Sequence, residues 1–194
     1  MRKKTSIRLG VNVDHVATLR QVRGGTTSYS DVLEMAQEAA RAGCDQITIH
    51  LREDERHIQL KDLILLSEQC PVDLNLEMAV TPRMLRLANR YKPDWCCFVP
   101  EKRQELTTEG GLDVRSYRPK ISKAIEKLQS RGVEISLFIA PDFAQVKASF
   151  EVGADAVEFH TGRWVKLVGE KKKREWQRLV GAAQLAHSLG LRVH

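Results

Sequence analysis

Long apolar runs are missing from this chain. None approaches the roughly 18 residues that would suggest a membrane span, so no membrane-spanning helix is expected. The start, MRKKTSIRLG, is basic but leads straight into a polar-punctuated strand. It lacks the apolar core of roughly 7 to 15 residues that a secretory signal needs. The four cysteines, Cys44, Cys70, Cys96 and Cys97, form no C-x-x-C and no Cys/His zinc spacing. Lying in or beside apolar segments, they read as buried free thiols of a reducing compartment, and a cytoplasmic location and no metal site are expected. No G-x-G-x-x-G or G-x-x-x-x-G-K-[ST] loop follows the first strand, which argues against a nucleotide-binding α/β protein. The +6 net charge could mean nucleic acid, acidic lipid, anionic metabolites or nothing, and no nucleic-acid module motif accompanies it. The largest basic run, Lys171 to Arg174, reads as a solvated helix face.

What is present is the composition of a soluble globular protein, 42% hydrophobic and 29% charged over 194 residues. That length favours one domain, 1–194, with a sizeable core. Strand-like and helix-like segments alternate throughout. Strands are expected near 7–14, 45–52, 72–79, 95–101, 133–140 and 156–161, with a last one starting at 191. Helices are expected near 30–42, 60–69, 82–91, 116–131, 142–152 and 170–189. Ser30, Thr81 followed by Pro82, and Pro141-Asp142 supply helix starts, while Gly43, Gly132, Gly153 and Gly190 supply stops. Two turns, ARAGCDQITIH and FEVGADAVEFH, are near copies. Such alternation fits parallel βα units, in either an open doubly wound sheet or a TIM (β/α)8 barrel.

The stretch ITIHLREDERH decides between them. Ile47, Ile49 and Leu51 alternate with Thr48, His50 and Arg52, so one strand face carries only polar groups. A purely structural strand does not need such a face. VNVDH repeats the design with Asn12 and Asp14, LNLEM with Asn75 and Glu77, and VEFH with Glu158 and His160. Polar groups at the C-terminal ends of several strands are where barrel active sites lie, and the barrel is therefore favoured.

His50 with Glu77 forms the first acid/base candidate, because a carboxylate beside an imidazole keeps it protonatable near neutral pH. A core histidine beside a structural carboxylate is the bland reading, which the matching polar strands disfavour. Arg23 in VRGGTT, Arg52 and His57 could grip anionic groups, with Gly24-Gly25 allowing close backbone approach; Glu53 to Arg56 read as solvated charge. Pro100 to Asp113 reads equally as a lid, with Thr107 and Thr108 donating to phosphate, or as a mobile polar loop. Glu158 needs a buried partner such as Arg52 or His50.

Taken together, VNVDHVATLRQVRGG, ITIHLREDERHI, LNLEMAVT, CCFVPEKRQELTTEGGLDV and VEFHTG resemble, in order and spacing, the pyridoxine 5'-phosphate synthase family. The resemblance runs from Ile7 to His194. It implies a TIM barrel that condenses 1-deoxy-D-xylulose 5-phosphate with 3-amino-2-oxopropyl phosphate, without metal or organic cofactor. It further implies His50 as general acid/base, Glu77 as catalytic glutamate and Glu158 as transition-state stabiliser. Asn12 and Arg23 fall on positions for the amino-ketone phosphate. Asp14, His15, Arg52, His57 and Thr107 fall on positions for the deoxyxylulose phosphate. The family forms homo-oligomers, commonly octamers, and acts on small phosphorylated substrates rather than on nucleic acid or membranes.

Six complete βα units precede a seventh strand that has barely begun at Leu191, whereas a closed barrel needs about 250 residues. The expectation is a barrel cut within strand seven, lacking the family's last helix-strand-helix with its A-G-H-G histidine and second glycine-rich phosphate site. A non-catalytic remnant that binds phosphorylated sugars, or assembles with intact subunits, is the alternative reading. An aldolase is disfavoured because no lysine takes a strand-end position suited to a Schiff base.

Overall fold

The computed structural model describes residues 7–24, 31–101, 103–107 and 110–194. Gly25, Ser30 and Thr108, each named above in a loop, cap or phosphate-donor expectation, lie outside them. Seven strands form one sheet: β1 (Gly10–Asn12), β2 (Gln46–His50), β3 (Asp73–Met78), β4 (Trp95–Phe98), β5 (Glu134–Ile139), β6 (Ala156–Phe159) and β7 (Arg192–Val193). All pairings are parallel, and the strand order is the chain order, with β1 and β7 at the two edges. An open doubly wound sheet reverses its order at a switch point, so this curled wall of successive strands is that of a (β/α) barrel.

The helices are α1 (Asp14–Val22), α2 (Val32–Arg41), α3 (Leu60–Gln69), α4 (Pro82–Tyr91), α5 (Arg118–Gln129), α6 (Phe143–Glu151), α7 (Gly162–Lys166) and α8 (Gly169–Ser188). Local chemistry starts several of them. Asp31 caps α2 by accepting from the Glu34 amide, Thr81 caps α4 from Met84, and Asp142 caps α6 from Ala144 and Gln145. Two helices depart from the sequence expectation. The first strand ends at Asn12 rather than near 14, because the Asn12 side chain accepts the Asp14 amide at 2.8 Å and turns the chain into α1. The five-residue α7 after β6 was likewise unanticipated, being too short to show a helical period.

The near-copy turns have a shared cause. Gly43 and Gly153 take φ of +99° and +86°, and a Cβ at either would meet open space, so the backbone conformation alone calls for glycine. The aspartate two residues later reaches the preceding strand: Asp45 accepts the Leu9 amide at 2.7 Å and Asp155 the Ile135 amide at 2.8 Å. Asp94 does the same for Leu74 at 2.8 Å. The start of every even-numbered strand is thus tied to the odd-numbered strand before it.

Strand parity divides the side chains between two environments. Ile47, Ile49, Leu51, Leu74, Leu76, Met78, Cys96 and Phe98 are buried in one core cluster with Leu63, Leu66, Met84, Ala88 and Ile121 of the helices. Each such Leu or Ile contributes roughly 1.5–3 kcal/mol of transfer free energy. The opposite parity holds Thr48, His50, Asn75, Glu77, Cys97, Ser136 and Glu158, with His50 beside Glu77, Glu77 beside Cys97 and Cys97 beside Ser136 in register. This polar face is the substance of the site.

Candidate active site

Each strand delivers its polar side chain because the alternate position is committed to the helices. At the start of α1, Asp14 accepts the backbone amide of His50 at 2.7 Å, while Asn12 Nδ2 donates to the same carboxylate at 3.2 Å. This fixes the end of β2 against α1. The His50 ring then lies between two carboxylates, with Nδ1 3.5 Å from Glu77 and Nε2 3.7 Å from Glu101. Opposite them, Glu158 on β6 takes the Cys97 thiol at 3.6 Å. The partner expected for Glu158 was one such as Arg52 or His50; the structure supplies Cys97 of β4.

A cavity of about 270 Å³ is lined by His50, Arg52, Glu77, Glu158, Val99, Pro100, Phe138, Leu106 and Gly110. Its acid residues crowd one another. Burial, together with the negative charges of Glu158 and Asp14, raises the Glu77 carboxyl to about 7. Burial also raises Glu158 and Asp14 above the ordinary carboxylate range. His50 moves the other way, to about 4, through burial and then the positive charges of Arg52, Arg56 and His57. The expectation that a neighbouring carboxylate keeps this imidazole protonatable near neutral pH is therefore reversed. Desolvation outweighs the ion pair, and Glu77 takes the near-neutral role. Asp14, His50 and Glu77 bring one donor atom each within 4.8 Å of the others, the one such trio among the described residues that could share a cation.

The remaining expected residues are spread more widely. Asn12, though exposed, reaches the site with its side chain, bonding Asp14 and Glu77, whereas His15 is exposed and Arg23 is exposed where α1 ends. His57 is held by α1, its Nδ1 3.1 Å from the Thr18 hydroxyl and its carbonyl accepting from Gln21. Thr107 does not line the cavity. It lines a neighbouring cleft of about 660 Å³ with Asp113, Arg115, Ser116, Arg118 and Gln145, and Leu106 borders both spaces. Among the described residues, the buried Thr107 hydroxyl has no hydrogen-bond partner. Of the REDER run, Asp54 and Arg56 form an exposed pair as expected, but Glu55 is structural: it binds Arg83 and accepts the Leu60 amide at 3.0 Å.

The profile of the family described as "Pyridoxal phosphate biosynthesis protein PdxJ" matches residues 9–194. The chain belongs to the PdxJ family. A relative from Bdellovibrio bacteriovorus named "Pyridoxine 5'-phosphate synthase" is 63% identical over 191 residues, 98% of this chain and 79% of that protein. A protein of the same name from Magnetococcus marinus is 50% identical over 189 residues, covering 97% of this chain and 77% of its own length. Among solved structures, a tetrameric deoxyribose phosphate aldolase from Aeropyrum pernix superposes with a TM-score of 0.58 at 19% identity, covering 87% of this chain and 70% of the aldolase. A mandelate oxidase gives 0.60 at 11% identity, covering 96% and 66%. These two likenesses speak to the fold alone. In the PdxJ chain the polar strand ends gather at one rim, and no described helix is long and apolar enough to cross a membrane.

Proposed function

We propose that this PdxJ-family chain is a pyridoxine 5'-phosphate synthase, condensing 1-deoxy-D-xylulose 5-phosphate with 3-amino-2-oxopropyl phosphate to give pyridoxine 5'-phosphate, phosphate and water. The carrying observation is that His50, Glu77 and Glu158 share one 270 Å³ cavity, in which His50 is lowered to about 4 and Glu77 raised to about 7. An amine must add to a ketone, water and phosphate must leave, and a carbon–carbon bond must close the ring. Several protons therefore move on one bound intermediate, which calls for more than one acid/base group.

At pH 7 the His50 imidazole is neutral and free to accept a proton, while Glu77, at about 7, is divided between donor and acceptor forms. A catalytic group is most effective with its pKa near the working pH, which suits Glu77 to repeated transfers. Glu158, kept in place by Cys97, stabilises positive charge that develops on the amine-derived nitrogen. Arg52 brings a cation to the cavity wall for a phosphate ester. Asp14, His15, His57 and Thr107 complete the deoxyxylulose phosphate site, and Asn12 and Arg23 contact the amino-ketone phosphate. Thr107 follows Leu106, which borders both cavities.

The reaction requires no metal or organic cofactor, and the protein works in the cytoplasm as a homo-oligomer without nucleic-acid or membrane partners. Exposed Val165, Val168 and Trp176 around α7 and α8 support self-association. Phosphate release coupled to a chromogenic reporter, with both substrates present, tests the function. Release that requires both substrates and is accompanied by pyridoxine 5'-phosphate supports it. Binding of the sugar phosphate without turnover would instead favour a non-catalytic binder.

A further inference from the structure

The side chain of Glu101 stands just beyond β4, where strand parity no longer assigns it a direction. Its surroundings assign one. Oε1 lies 3.7 Å from His50 Nε2, and the two side chains are only 14% and 9% exposed. His50 Nε2 is buried and, among the described residues, has no hydrogen-bond partner. A buried ring nitrogen left unpaired is destabilising, and catalytic hydrogen bonds that are long in the free protein tighten when substrate is bound.

Glu101 is also held in place, as a residue that orients another must be. Its amide donates to Glu105 Oε2 at 3.2 Å, and the other oxygen of Glu105 meets Lys120 of α5 at 3.3 Å. Across the gap, the Glu53 amide approaches Glu101 Oε1 at 3.4 Å, tying the segment after β2 to the segment after β4. On the other side of the imidazole, Nδ1 faces Glu77 in the cavity wall.

The geometry points to Glu101 as the positioning residue of His50: its carboxylate accepts the Nε2–H, fixes the ring and its tautomer, and leaves Nδ1 as the atom that exchanges protons. When Nδ1 takes a proton, the imidazolium forms between two carboxylates, Glu77 on one side and Glu101 on the other. The same carboxylate that selects the tautomer stabilises that cation. This inference rests on the reading of His50 as an acid/base group.

Two measurements test it. On the unaltered protein at pH 7, long-range ¹⁵N–¹H correlation should show His50 protonated at Nε2 and bare at Nδ1; the opposite tautomer overturns the proposal. Steady-state kinetics of Glu101→Gln, His50→Asn and the double variant supply the second. Gln keeps the size and an acceptor for the Glu53 amide, so a purely structural role leaves kcat unmoved. The expected result is a fall in kcat of roughly ten- to hundredfold in Glu101→Gln with KM within about twofold. The double variant should then be no slower than His50→Asn alone. Wild-type kcat in Glu101→Gln, or a loss that multiplies in full onto His50→Asn, contradicts the role. Wild-type kcat in His50→Asn would instead remove the acid/base reading of His50 itself, so the two failures are told apart.

Discussion

His50 Nδ1 and Glu77 Oε2 lie 3.5 Å apart at adjacent register positions of β2 and β3, yet at neutral pH the pair is not a full ion pair. Burial depresses the imidazole to about 4 and, with Glu158 and Asp14 nearby, lifts the carboxyl to about 7. The carboxylic acid rather than the histidine is therefore the group that changes state at physiological pH.

The pH dependence of turnover should show this. An inflection near pH 7 belongs to Glu77 and should vanish in Glu77→Gln, whereas a solvent-like histidine inflection near about 6.5 should be absent. Rate profiles between pH 5 and 9 check both. An inflection that survives in Glu77→Gln contradicts the assignment.

Stability should follow the same group. The folded-state pKa of Glu77 is raised from 4.5 to about 7, so its contribution is fully present below pH 4.5 and lost as pH rises through 7. The loss is on the order of 2 to 3 kcal/mol. Glu77→Gln removes the ionisable group, so its Tm should exceed that of the unaltered protein more at pH 8 than at pH 5. Thermal unfolding at the two pH values measures the difference; an equal offset at both would count against a strongly raised carboxyl.

Arg20 and Asp62 hold α1 against α3 through two parallel bonds of 2.7 Å, with side chains 13% and 6% exposed. Asp62 also accepts the Gln59 amide at 2.8 Å, closing the start of α3. Asp62→Ala should destabilise the protein by about 3–5 kcal/mol, because it leaves a largely buried guanidinium unpaired and opens a helix start. Urea unfolding measures it; a loss below about 1 kcal/mol would mark the pair as an ordinary surface ion pair.

Gly111 and Gly43 should respond to alanine in different ways. A Cβ on Gly111 would sit 2.2 Å from the Ala140 nitrogen and 2.5 Å from the Ile139 carbonyl carbon, both backbone atoms that cannot swing aside. One on Gly43 meets nothing, and the φ of +99° is the whole penalty. Gly43→Ala should cost about 1 kcal/mol and Gly111→Ala several-fold more, read as the difference in unfolding free energy. Equal costs would contradict the close approach of the segment after β4 to the end of β5.

Strand and helix positions were legible because parity and capping are local: Ile47, Ile49 and Leu51 alternate with the polar residues they oppose, and Thr81-Pro82 marks the start of α4 whatever surrounds it. The α1 helix was hidden because Asn12, which the pattern reads as one more strand residue, uses its side chain to turn the chain. The cavity trio His50, Glu77 and Glu158 followed from strand parity. Glu101 did not, since its direction is set by Glu105 four residues on, itself held by Lys120, and by Glu53 from a segment distant in sequence. Nor could local pattern show that burial would outweigh the His50–Glu77 attraction, which depends on what covers the barrel's rim. Arg52 as the partner of Glu158 failed for a similar reason: Cys97, which reads as a core thiol, faces the carboxylate instead.

The most direct test is a coupled phosphate-release assay with both proposed substrates, run on the unaltered protein, His50→Asn and Glu77→Gln. Turnover should fall by more than about tenfold in each variant with substrate affinity largely kept. Rates in both variants equal to that of the unaltered protein would contradict the claim that these two side chains move the protons.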